Sequence, residues 1–203
     1  MALTFFSDRK VDPDLAREVA GTFIAAGSSH RDPVVCAAYD QLERQSDRAF
    51  LLLTRRQPLA TIRVVFSRCR TPYSSDREMI AAVRAEGLLE VTSAATDRDR
   101  RHPLLGCDLG GAYDRFRAVH DVVGHVSARL GFDRDGEFAA WLTQDRLYYG
   151  LARWALATEL HAEDSVRWTT DLLSDHKATL LDRDLLARAR RRDKTAVGPN
   201  ASA

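Results

Sequence analysis

The chain has 203 residues, 45% of them hydrophobic, enough for one well-cored domain. Its 30 basic and 29 acidic residues leave a formal charge of +1, so no global field favours nucleic acid or an anionic membrane as a partner. No segment approaches the roughly 20 apolar residues that a bilayer span needs, and no basic N-terminal region leads into a long apolar stretch, so a soluble, cytoplasmic protein is expected. The cysteines, Cys36, Cys69 and Cys107, are odd in number and far apart, which fits neither a disulfide framework nor a thiolate zinc site.

Leu15, Val19, Phe23 and Ile24 follow Pro13 near helical spacing and predict a first helix from about Asp14 to Ala26. Val34, Val35, Ala38, Tyr39 and Leu42 repeat the period from Pro33 to about Gln45, a second helix. Phe50–Thr54 and Ala60–Phe66 then flank Arg55-Arg56-Gln57-Pro58, which reads as a β-hairpin. Ser75 with Glu78 three residues on is a capping box, so a helix is expected from Asp76 towards Glu86, ended by Gly87. A short strand, Leu88–Thr92, follows. Beyond a charged, irregular linker at Ala95–Arg101 and the run His102-Pro103-Leu104-Leu105, the chain from about Tyr113 reads as helical almost to its end. Arg188–Arg192 is basic and Asp193–Ala203 is small and polar, a tail expected to be disordered. There is no internal repeat. The expectation is a predominantly helical α+β single domain over residues 1–192, with a small N-terminal β-hairpin or sheet and a disordered tail over 193–203.

The chemistry concentrates in the helical half. His120-Asp121-Val122-Val123-Gly124-His125 places two imidazoles close together, and Glu159 lies on a second helix-like stretch. Two imidazoles and a carboxylate with the other positions open is the ligand set of non-haem Fe(II) oxygenases. A separation of five puts the histidines roughly 140° apart at 100° per residue of regular helix, so they do not share one stripe. Nor is this the zinc-protease signature, whose histidines stand four apart with a glutamate after the first. Both can close on one ion at a helix end or a distorted turn, and Gly124 relieves the steric cost of such a turn. Glu159 sits among Leu147, Leu151, Trp154, Ala155 and Leu156, where an inward carboxylate is costly unless paired or coordinated. The metal ligands expected are therefore His120, His125 and Glu159.

Other residues have a chemical and a plain reading. Asp121 is an acceptor for a ligand imidazole or a catalytic base, or else a solvated helix residue. Glu137 orients a ligand or substrate, or begins a helix whose dipole favours an acid there. Arg117 is placed to pair with a substrate carboxylate, or is solvated. Trp141 and Tyr149, with Tyr148 and Trp154, are core or pocket lining, the first two being the candidates for substrate contact. His161, Glu163 and Asp164, with Glu137, form the material of a two-metal carboxylate site.

The run His120–Val126 resembles the iron-binding histidine motif of the aromatic amino acid hydroxylases, notably bacterial phenylalanine hydroxylases. Tyr148, Tyr149, Trp154 and Thr158-Glu159 are similar to the aromatic-rich helix that carries that family's glutamate ligand. The resemblance covers roughly Phe116 to His161. It implies iron held by His120, His125 and Glu159, with water or oxygen at the open positions, and monooxygenase chemistry on an amino acid or aromatic compound. The upstream half has no recognisable pterin pattern, and the chain has no flavin, nicotinamide or iron–sulfur motif, so the reductant is open between a pterin and another donor. A second likeness, through Pro72–Ser75, His102–Leu105, Phe116–Asp121 and Gly136–Trp141, is to a group of bacterial and phage-associated proteins without an assigned activity. Where that group carries Thr-Glu-Thr-Arg, this chain has Thr158-Glu159-Leu160-His161.

The expected function is thus a non-haem Fe(II) oxygenase acting on a small molecule with O2, with neither nucleic acid nor membrane as partner. Three alternatives stand beside it. A zinc hydrolase would use the same ligands with Asp121 or Glu137 as base. A di-iron carboxylate oxidase would add the acids near Glu159. A non-catalytic interaction protein would use the histidines for packing or a closed structural metal site. The oligomeric state is open, a homodimer being one option.

Overall fold

Aspartate followed by proline starts each of the first two helices. A computed structural model describes residues 6, 8–55, 61–68, 70–95, 102–170, 172 and 176–191. In α1 (Pro13–Ala25) the Asp12 carboxylate accepts from the N–H groups of Asp14 and Leu15, and in α2 (Pro33–Thr54) Asp32 does the same for Val34 and Val35. These caps satisfy donors that have no partner inside the helix, while proline gives up an N–H that would have been idle.

The expected hairpin does not form, because α2 runs on past Gln45 and takes Phe50–Thr54 into the helix. Phe50 and Leu53, three apart on one face, pack into a core, while Leu51 and Leu52 are exposed. A short apolar run of this kind reads equally as strand or buried helix. Residues 56–60, the remainder of the expected turn, lie outside the described residues, as do the tail 193–203 and Cys69. Strand β1 (Arg63–Ser67) pairs instead with β2 (Leu88–Thr92), in parallel and in register from Arg63 opposite Leu88 to Ser67 opposite Thr92. Parallel strands need a crossover, and α3 (Asp76–Glu86) supplies it. Ser75 Oγ accepts from the Glu78 N–H at 3.2 Å, and the Glu78 carboxylate reaches back to the N–H of Ser74 at 2.6 Å. Gly87 closes the helix at φ +62°, a left-handed conformation that costs other residues strain.

The other helices are α4 (Ala112–Val119), α5 (Arg134–Asp145), α6 (Ala152–Ala157), α7 (Glu163–Thr170) and α8 (Arg183–Arg191). Two π-helical turns interrupt the regular geometry: His120–Val126 continues α4, and Thr158–Ala162 joins α6 to α7. The protein is a predominantly helical α+β single domain. Its larger core runs through α1, α2, α5, α6 and α8, with Val19, Tyr39, Leu42, Trp141 and Leu156 buried at its centre. The smaller core packs Met79 and Val83 of α3 and Leu89 and Val91 of β2 against Ala118, Val122 and Val126. Asp114 fastens α4 to the end of β2 by accepting from Ser93 Oγ at 2.5 Å and the Ala94 N–H at 2.7 Å. The basic run Arg188–Arg192 is largely on α8, whose Leu185, Leu186 and Ala189 are buried and whose Arg190 pairs with Asp145 at 2.9 Å. Among the described residues no helix is long and apolar enough to cross a membrane.

His161 belongs to the larger core and stacks on Trp141, with ring centroids 4.4 Å apart and planes 6° from parallel. Burial, reinforced by the charge of Arg190, pulls its pKa from 6.5 down to about 3. The folded chain therefore keeps His161 neutral where the unfolded chain protonates it, so this contribution to stability is complete above pH 6.5 and is lost as pH falls towards 3. His161→Phe keeps the stack and removes the titration. Chemical denaturation as a function of pH is expected to give a shallower acid loss of stability in the variant, and an unchanged slope would refute this account.

Candidate metal centre

Five residues separate His120 from His125, and the π-helical turn makes that spacing one turn. The Ser127 N–H donates to the Val122 carbonyl at 2.9 Å and the Leu130 N–H to the His125 carbonyl at 3.1 Å, both i→i+5 bonds. Winding of this kind stacks residues five apart, so the imidazoles that a regular helix would splay meet edge to face, their Nε2 atoms 3.1 Å apart. Gly124 lets the turn lie against α5: a Cβ there would come within 2.9 Å of the Ala140 Cβ and 3.3 Å of His120 Nδ1.

Helix α5 brings the third group. From its first turn, capped by Asp133, Glu137 places Oε2 at 3.3 Å from His120 Nε2 and 3.2 Å from His125 Nε2. His125 Nδ1 is 3.1 Å from the Leu130 carbonyl, which only accepts, so that nitrogen carries the proton. His120 Nδ1 is 2.8 Å from Gln144 Oε1, while the Gln144 amide nitrogen donates to Tyr148 Oη at 3.4 Å, so this imidazole too donates through Nδ1. Both Nε2 atoms consequently face each other and the carboxylate. Burial raises the Glu137 carboxyl, but hydrogen bonds to and charge on the two histidines outweigh it and hold the group far below the usual carboxylate range. Burial lowers His125, and the Glu137 carboxylate reverses the sign and holds it above 6.5.

Three such atoms 3.1–3.3 Å apart repel one another unless a positive partner, a proton on Nε2 or a metal ion, sits among them. These separations are what three ligands about 2.1 Å from a common centre give at mutual angles of about 95–105°. Both imidazoles are anchored through their far nitrogens, as metal-bound histidines usually are. The donors, their spacing and their anchoring therefore fit a divalent metal.

The group opens on a cavity of about 460 Å³, also lined by Arg117, Asp121, Glu159, Glu163, Asp164 and His176. Glu159, on the second π turn, is only 3% exposed. Its Oε1 accepts from Tyr39 Oη at 2.5 Å and lies 3.1 Å from His102 Nε2. The Leu104 N–H donates to His102 Nδ1 at 3.3 Å, leaving the His102 proton on Nε2 to bond the carboxylate. Glu159 Oε2 is buried without a hydrogen-bond partner among the described residues. One helical turn on, Glu163 Oε1 is 3.1 Å from His176 Nδ1, which Tyr113 Oη also approaches at 3.2 Å. Burial and the charge of Glu159, against the hydrogen bond to His176, push the Glu163 carboxyl up to about 7. Burial and the charge of Glu137 raise Asp164 well above its ordinary value, and Glu163 adds in the same direction.

The residues singled out from sequence are thus divided. His120 and His125 come together, but the carboxylate that meets both is Glu137, placed there by α5. Glu159, expected as the third ligand, lines the same cavity and is held instead by Tyr39 and His102. Asp121 and Arg117 line the cavity, with Arg117 Nη1 donating to the Thr92 carbonyl at 3.0 Å. Trp141 and Tyr149, expected at the substrate, do not line it: Trp141 is 1% exposed in the core, and Tyr149 is 67% exposed, its backbone bonded to Gln45. His161, weighed for a two-metal site, stacks on Trp141 in the core. Sequence reasoning missed Gln144, Tyr39, His102 and His176. Gln144 alone had a local signal, standing seven residues after Glu137 on the same helix face.

Compared with protein-family models, with curated proteins and with solved structures, the chain finds no match.

The Gly124–Ala140 approach gives a sign that propensity alone would reverse. In a helix interior Gly→Ala normally stabilises by about 1 kcal/mol, whereas Gly124→Ala is expected to cost about 1–3 kcal/mol through overpacking. Adding Ala140→Gly restores the space, so a double-mutant cycle by urea denaturation is expected to show coupling of about 0.5–3 kcal/mol. Additive effects would rule the contact out.

Proposed function

We propose that the protein is a non-haem Fe(II)-dependent oxygenase that oxidises a small substrate with O2, the iron held by His120, His125 and Glu137. The observation that supports this most is the convergence of three lone-pair-bearing atoms, 3.1–3.3 Å apart, at the wall of a cavity. Two imidazoles and a carboxylate with the remaining positions open is the donor set of non-haem Fe(II) oxygenases. Four carboxylates line the cavity beside Glu137 with no cysteine among the described lining residues, and this oxygen-rich wall suits iron or manganese better than a thiolate zinc site. The reading keeps the reaction class implied by the likeness to aromatic amino acid hydroxylases and moves the third ligand from Glu159 to Glu137.

Bound iron would supply the redox chemistry with O2. The chain's own residues do the rest. Gln144 and the Leu130 carbonyl hold the imidazoles in the tautomer that presents Nε2. Tyr113, Phe116, Phe132 and Leu160 give the cavity an apolar side that accepts the body of an amino acid or aromatic compound and keeps water out. Arg117 spends one donor on Thr92 and has others for a substrate carboxylate. Asp121, next to His120 in the chain, adds a carboxylate to the wall as an acceptor for a substrate proton. One oxygen atom enters the product and the other leaves as water, with two electrons and two protons from a pterin or another two-electron donor.

The test begins with protein purified without oxygen. His125→Ala and Glu137→Ala are each expected to lose the metal of this group and all substrate-dependent oxygen uptake. Retention of that metal by both variants overturns the assignment, and tight zinc with hydrolysis but no oxygen uptake replaces the oxygenase with a hydrolase on the same ligands.

Gln144 gives a graded test. Gln144→Leu leaves the three ligands in place but deprives His120 of its acceptor. Metal affinity, read by competition with a chelator, is expected to fall about 10–100-fold. Unchanged affinity would mean that the Gln144 contact does not orient the imidazole.

A further inference from the structure

We infer that the same cavity holds a second metal site, in which Glu159, Glu163 and His176 bind a divalent cation of the Fe²⁺ or Mn²⁺ type. The inference goes beyond the oxygenase reading and rests on other residues. Each of the three offers a ligand atom, and these atoms all lie within 4.8 Å of one another. The group spans two parts of the chain: Glu159 on the second π turn and Glu163 at the start of α7 stand one turn apart, and His176 comes in from the segment that follows α7.

A second observation points to a ligand. Glu159 is a 3%-exposed carboxylate whose two donors, Tyr39 Oη and His102 Nε2, both go to Oε1. Oε2 is buried and has no hydrogen-bond partner among the described residues. Buried acceptors are nearly always satisfied, and an ionised one has most to lose. Tyr39 and His102 fill one side of the carboxylate, while Glu159 also lines the cavity together with Glu163 and His176. A cation at that wall satisfies the orphan oxygen. It also screens the repulsion among Glu159, Glu163 and Asp164, which share the cavity with Glu137.

The donors set the class of ion. Two hard carboxylates and one borderline imidazole suit Mn²⁺ and Fe²⁺, and no described cysteine lines the cavity to select a softer ion. The chain uses one device twice: a regular helix passes into a π turn, and some residues of that turn, His120, Asp121 and His125 in the first and Glu159 and Leu160 in the second, line the cavity. Both sites therefore line one cavity.

The experiment is an anaerobic titration of the full chain with Mn²⁺, counting bound metal by elemental analysis and by the loss of the free-ion EPR signal. Wild type is expected to bind two equivalents. Glu163→Gln and His176→Ala are each expected to weaken one equivalent at least tenfold while the other remains, and His125→Ala is expected to do the reverse. Near-isosteric Glu163→Gln carries the reading should His176→Ala fail to fold, with thermal melts of each variant as the control. One equivalent in wild type, lost in His125→Ala and untouched by Glu163→Gln, overturns the second site and leaves the oxygenase reading standing. One equivalent lost in Glu163→Gln and kept in His125→Ala supports the second site and removes the first.

Discussion

The i→i+5 hydrogen bonds after His120 are the constraint on which the cavity depends. With regular α-helical bonds the imidazole of His125 would point about 140° away from that of His120, and Glu137 could meet only one of them. The π turn costs hydrogen-bond regularity over a few residues, and such turns persist mainly where neighbouring packing or function holds them. Here the packing is visible: Val122 and Val126 face the smaller core against α3 and β2, and Gly124 lets Ala140 of α5 approach from the other side. The turn is wedged between two layers, and its two histidines are pushed to the remaining face.

Helix α2 braces both groups from behind. Tyr39 and Ser46 stand seven residues apart on one of its faces, both fully buried. Tyr39 donates to Glu159, and Ser46 bonds Tyr148 Oη at 3.0 Å, which in turn meets the Gln144 amide that holds His120. A single rigid helix thus reaches one metal-ligand candidate directly and another through three hydrogen-bonded side chains. Arg115 of α4, paired with Asp47 at 2.7 Å, ties the helix that leads into the π turn to the same support. Preorganisation of this kind is what keeps ligand atoms at metal-binding separation in a fold built from short helices.

Much of the scaffold was legible because local rules governed it. The two Asp-Pro starts, the Ser75 cap and the Gly87 stop fix element ends by backbone hydrogen bonding, which sequence displays directly. The hairpin was not legible: Phe50-Leu51-Leu52-Leu53 has no period that separates helix from strand, and what decides it is a core assembled from distant residues. At the site, the five-residue histidine spacing announced a distortion without saying which one. Burial of Glu159 was readable from its apolar neighbours, but its partners Tyr39 and His102 lie 120 and 57 residues away, and no spacing rule reaches that far. Glu137 looked like an ordinary first-turn acid, since the approach of α5 to the π turn is a tertiary event. That Trp141 and Tyr149 lie outside this cavity was not legible for a related reason: aromatic character does not tell core from surface or from cavity.

The electrostatics of the cavity narrow what can occupy it. Glu137, Glu159, Glu163, Asp164 and Asp121 line a space of about 460 Å³, while Arg117 and Arg167 are the arginines that line it among the described residues. On the proposed reading, a substrate carboxylate would gain only where it reaches an arginine, and a bound cation would ease its approach to Glu137 or Glu159. On that reading cations would offset the charge of the wall, and the substrate would take the apolar side formed by Phe116, Phe132 and Leu160. The same logic explains why the histidines carry their protons on Nδ1. With both far nitrogens committed to fixed acceptors, the Nε2 atoms are the ones left to meet Glu137, whether through a proton or through a positive ion.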